Sequence, residues 1–139
     1  MSGVDDRDDR EESLRDLRIL LVEDDPLIRL DLEASLSEFG ATVTAVADVA
    51  AALKVMAASV PDFAVLDFEL GAETSEPIAT AAQTRNVPFF YLSGYSERDG
   101  RFERWPGIDV LVKPLSAVTI AHRIQELLGK GDRRRSAHS

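Results

Sequence analysis

Short runs of wholly apolar residues recur along this chain, and each stops abruptly on a charged or hydroxyl side chain. Ile19-Leu20-Leu21-Val22 stops at Glu23, Phe63-Ala64-Val65-Leu66 at Asp67, Pro88 to Leu92 at Ser93, and Val110-Leu111-Val112 at Lys113. Runs this short, without polar alternation, fit parallel strands covered on both faces. Helical signals fill the intervals. Asp25-Pro26 supplies an N-cap and a first-turn proline, Leu27, Leu30, Ala34 and Phe39 fall on one stripe, and Gly40 closes that helix. Thr42 to Val46 reads as a further strand, and Asp48 caps a helix from Val49 to Ala58. Ser75 and Pro77 open a helix through about Arg85, and a short helix over 97–105 is weakened by Gly100 and closed before Pro106. Ser116 caps a last helix through Leu128, with Gly129 just past its end.

Five strands alternating with five helices predict a doubly wound five-stranded parallel sheet, a (βα)5 flavodoxin-like α/β fold with strand order 2-1-3-4-5. The 139 residues suit one domain, and 45% of them are apolar, enough for a real core. Residues 1–16 are expected to be a disordered acidic tail, 17–129 the folded domain, and 130–139 a disordered basic tail holding Arg133-Arg134-Arg135. There is no cysteine, which excludes disulfides and thiolate metal sites. A net charge of −9 argues against a nucleic-acid partner. No apolar run is long enough to span a bilayer, and the acidic N-terminus is unlike a secretory signal, so a cytoplasmic location is expected.

In open parallel sheets, ligands bind beyond the carboxyl ends of the strands, at the switch point. Residues far apart in sequence therefore converge there: Glu23, Asp24 and Asp25 after the first strand, Asp67 after the third, Ser93 after the fourth and Lys113 after the fifth. Crowded carboxylates raise one another's pKa, and a hard divalent cation relieves the repulsion. An ammonium about 4 Å from a carboxylate adds roughly 4 kcal/mol of attraction at an effective dielectric near 20, before desolvation costs. A carboxylate nucleophile, a metal position, a cationic clamp and a hydroxyl donor suit phosphoryl transfer. Gly94 leaves room beside Ser93, and Lys113-Pro114 is a candidate cis peptide. Asp25 is the helix N-cap rather than a metal ligand, His122 a helix-face residue, and Trp105 packs the weak fourth helix.

The ordered set LLVEDD, VLDFEL, YLSGY and VLVKPL resembles the receiver domain of two-component response regulators, over roughly residues 17–128. The resemblance implies Asp67 as phosphoacceptor, Glu23 and Asp24 as the acidic pair for Mg2+, and Asp67 with the backbone carbonyl of Glu69 as further ligands. It implies that the Ser93 hydroxyl bonds a phosphoryl oxygen on switching, and that Lys113 is the family's lysine. VPFFYLSGY and FELGAETSEPIA are similar to a subgroup of stand-alone receivers whose fourth strand reads PFxFATGY. One departure is Val110, where most receivers carry a tyrosine or phenylalanine whose rotamer reports phosphorylation. Tyr95, two residues after Ser93, is the candidate for a related readout or for gating access to Asp67.

The implied partners are a sensor histidine kinase or a histidine phosphotransfer protein, with signalling through protein contacts, as a monomer or weak homodimer and without turnover as an enzyme. Two alternatives stay open. One is a Mg2+-dependent phosphohydrolase or nuclease-like enzyme, since Glu23 with Asp67-Phe68-Glu69 resembles the Glu plus Asp-x-Asp arrangement of topoisomerase–primase domains. The other is a phosphorylation-independent pseudo-receiver, which Val110 favours.

Overall fold

The computed structural model describes residues 13–95 and 100–138, with 130–138 described by their backbone alone. The elements, in chain order, are β1 (Arg18–Val22), α1 (Pro26–Glu38), β2 (Thr42–Val46), α2 (Val49–Ala58), β3 (Phe63–Asp67), β4 (Glu69–Leu70), β5 (Glu73–Thr74), α3 (Glu76–Thr84), β6 (Phe89–Ser93), β7 (Val110–Val112) and α4 (Ala117–His138). Five strands form one sheet in the order β2-β1-β3-β6-β7, all parallel, which is the expected 2-1-3-4-5 arrangement. An antiparallel pair, β4-β5, follows β3, with Gly71 at φ +64° in its turn.

Within the strands, successive side chains point to opposite faces. Leu20, Val22, Ala64, Leu66, Phe89 and Tyr91 join α2 and α3 in one core layer. Ile19, Leu21, Phe63, Val65, Phe90 and Leu92 join α1 and α4 in the other. Coverage on both faces is why these strands carry no polar alternation.

Four elements depart from the sequence expectations. The stripe of α1 is rotated: of the expected residues Phe39 faces the core, joined by Leu32 and Leu36, while Leu27 and Leu30 are 78% and 65% exposed and Ala34 is exposed. Leu32, Leu36 and Phe39 also follow helical spacing, and the sheet selects that set. Residues 96–99 of the expected fourth helix lie outside the described residues, and 100–107 turn repeatedly without forming a helix. Gly100 at φ +96° and Gly107 at φ +81° adopt the left-handed conformation, which a right-handed helix cannot continue through. Phe102 and Trp105 hold this segment to the sheet by burial against Phe68, Phe89 and Tyr91.

The folded unit also begins earlier than residue 17. Residues 13–16 form a turn in which Leu14 is fully buried, its N–H donating to the Phe39 carbonyl at 2.8 Å. Finally, α4 runs through Gly129 to His138, because Gly129 does not adopt the left-handed conformation that ends a helix at glycine. No helix among the described residues is long and apolar enough to cross a membrane.

Candidate functional site

The carboxyl ends of β1, β3, β6 and β7 deliver Glu23, Asp67, Ser93 and Lys113 to one edge of the sheet, around the switch between β1 and β3. Each arrives by ladder continuation. The Glu23 N–H donates to the Val46 carbonyl at 3.0 Å, Phe68 N–H to Leu92 at 2.8 Å, and Lys113 N–H to Ser93 at 2.8 Å. The Lys113-Pro114 peptide is cis, as its sequence allowed.

Lys113 is the hub. Its Nζ donates to Glu23 Oε1 at 3.1 Å and lies 3.3 Å from Asp67 Oδ1. Glu23 is fully buried and Asp67 only 2% exposed, so both carboxylates depend on this ammonium for neutralisation. Carboxylate oxygens of Glu23, Asp24 and Asp67 all lie within 4.8 Å of one another, with Asp24 at the exposed rim. Asp67 Oδ1 is a buried acceptor whose 3.3 Å contact with Lys113 is an ion pair without hydrogen-bond geometry. Burial lifts the Asp67 carboxyl to about 8, the Glu23 carboxylate adds to the rise, and Lys113 opposes it. Burial pulls the Lys113 ammonium down, but the Asp67 and Glu23 carboxylates outweigh that and leave it raised. A buried carboxylate cluster with an orphaned oxygen is chemically suited to a small hard cation.

Asp25 lies outside this cluster. Its Oδ1 accepts from Leu27 N–H and Ile28 N–H at 2.9 and 3.1 Å, the N-cap role that its position predicted. His122 is exposed on α4. Trp105 packs on Phe89 and Tyr91, and its Nε1–H donates to Glu76 at 3.0 Å.

Sequence reasoning missed what the Glu69 side chain does. The Ser93 hydroxyl donates to Glu69 Oε2 at 2.8 Å, and Gly94 N–H donates to Oε1 at 3.3 Å. Arg101 Nη1 stands 3.9 Å from the same carboxylate, and its guanidinium stacks 3.6 Å from the centre of the Tyr95 ring. The available signal was the position of Glu69, two residues past a strand-end acid. Arg101 had none, because it sits in turns without periodicity.

Comparison with known proteins agrees with this geometry. The family model described as the response regulator receiver domain matches residues 19–125. The chain is 31% identical over 127 residues to the phyllosphere-induced regulator PhyR of Methylorubrum extorquens, covering 87% of this chain and 48% of that protein. It spans about half the length of the curated relatives it matches. Among solved structures, SdrG from Sphingomonas melonis Fr1 is 32% identical with a TM-score of 0.63, over 81% of this chain and 96% of that one. The response regulator protein TrrA of Thermotoga maritima, solved in complex with Mg2+ and BeF, shares the fold at 24% identity and a TM-score of 0.70, over 80% and 98%. Strand order, strand-end chemistry and family match together show that the chain belongs to the response regulator receiver domains.

Proposed function

We propose that Asp67 accepts a phosphoryl group from a histidine of a sensor kinase or phosphotransfer protein, with Mg2+, and that the phosphorylated domain signals through protein contacts. The observation that carries this reading is the meeting of Glu23, Asp24 and Asp67 with the Lys113 ammonium at one sheet edge. Glu23, Asp24, Asp67 and the backbone carbonyl of Glu69 would hold the metal. When bound, it supplies positive charge that favours ionised carboxylates and neutralises phosphoryl oxygens.

The chain's own residues do the rest. An Asp67 carboxylate oxygen forms the new P–O bond as the donor's P–N bond breaks, and the leaving imidazole takes its proton from solvent. Lys113 lies 3.3 Å from Asp67 Oδ1, close enough to follow charge onto the transferred group. The Ser93 hydroxyl then donates to a phosphoryl oxygen.

Incubation with magnesium and a small phosphoramidate should add one base-labile phosphoryl mass, absent from Asp67→Asn. Continuous turnover of a phosphoester substrate would instead support a phosphohydrolase. Partner binding that Asp67→Asn leaves intact, without an adduct in the wild type, would support a pseudo-receiver.

A further inference from the structure

A serine hydroxyl carries one hydrogen, and here it is already committed to Glu69 at 2.8 Å. Ser93 lies one residue beyond Leu92, the strand partner of Asp67, so it stands beside the phosphoacceptor pocket while its proton is held elsewhere. The acceptor is a carboxylate, which makes this the stronger, charge-assisted kind of hydrogen bond. Gly94 N–H grips the other oxygen of the same group at 3.3 Å. Ser93 Oγ in turn accepts from Tyr95 N–H at 3.0 Å.

We propose that the Glu69 carboxylate is a latch that withholds the Ser93 hydroxyl from the Asp67 pocket, and that an anionic group on Asp67 releases it. This rests on Asp67 being the phosphoacceptor. A phosphoryl group brings negative charge that repels Glu69 and oxygens that compete for the Ser93 proton. The displaced carboxylate has a partner at hand in Arg101 Nη1, already 3.9 Å away. When Ser93 turns inward, Tyr95 N–H loses its acceptor and the backbone at 94–95 shifts. Tyr95, 48% exposed and stacked under Arg101, carries that shift to the surface. The handover needs no aromatic residue at Val110. Glu69 is thus a positioning residue acting through Ser93, and Glu69→Ala leaves its backbone carbonyl in place.

The test is a double-substitution cycle read by beryllofluoride affinity in magnesium, using wild type, Glu69→Ala, Ser93→Ala and the pair. Removing the competing acceptor should tighten binding roughly tenfold, the scale of one hydrogen bond to a charged group. In the Ser93→Ala background the same change should tighten binding clearly less, since only the charge repulsion is left and the latch has nothing to hold. An equal tightening in both backgrounds means plain charge repulsion and overturns the latch. So does a Glu69→Ala affinity equal to wild type. Gly94 and Tyr95 amide resonances should also move in ligand-free Glu69→Ala, and unmoved resonances would overturn the latch whatever the chain does with beryllofluoride. A wild type that binds no beryllofluoride, with those resonances moved, overturns the phosphoacceptor reading instead.

Discussion

Asp67 sits between a fully buried carboxylate and an ammonium, and the balance of the three sets its chemistry. Its carboxyl stands near 8 rather than the ordinary 3.8 because burial and Glu23 disfavour its charge more than Lys113 favours it. The sign of the stability effect follows. Between those values the folded state holds a proton that the unfolded chain has lost, so folding weakens as pH rises. In EDTA, the denaturation midpoint should fall from about pH 4 to about pH 8, and Asp67→Asn should flatten that fall. Magnesium should reverse it in the wild type, because a ligand that binds the folded state stabilises it. A wild-type profile identical to that of Asp67→Asn would contradict the electrostatic account. At this scale the sequence was highly legible: Glu23, Asp67, Ser93 and Lys113 each end a strand, and strand ends are fixed by where apolar runs stop. The Glu69 contact was not legible, because a side chain beyond a strand end takes its direction from the loop.

At the scale of elements, legibility depended on how many registers a segment allows. The three central strands, covered on both faces, permit one reading and were located from their apolar runs. The edge strands β2 and β7 are partly exposed, and β2 carries two threonines. Helix α1 permits two, since Leu27-Leu30-Ala34 and Leu32-Leu36 both fit helical spacing; Phe39 of the expected stripe lies with the second set, and only the sheet decides. Leu36→Ala should therefore cost about 2–5 kcal/mol in chemical denaturation, and Leu30→Ala no more than about 0.5 kcal/mol. Comparable losses would return the stripe to the first set. The segment before β7 was misread because its apolar content, Phe102 and Trp105, serves as two anchors rather than a helical face. The glycines flanking those anchors hold the backbone in left-handed turns.

Across the whole molecule, Phe68, the residue after Asp67, links the site to that anchored segment. Phe68 meets Phe102 edge-on at 4.7 Å and Tyr91 at 5.0 Å, and Tyr91 in turn meets Trp105 at 5.9 Å. Trp105 is the chain's only tryptophan, so its emission reports on this layer directly. Beryllofluoride with magnesium should change that emission in the wild type and leave it unchanged in Asp67→Asn. The most direct test of the central claim lies in the covalent bond itself. After incubation with phosphoramidate and magnesium, borohydride reduces an aspartyl phosphate to homoserine, and peptide mass mapping locates it. Homoserine at position 67, dependent on magnesium and on the phosphodonor, is the predicted result. Homoserine at another acidic residue, or at none, would contradict it.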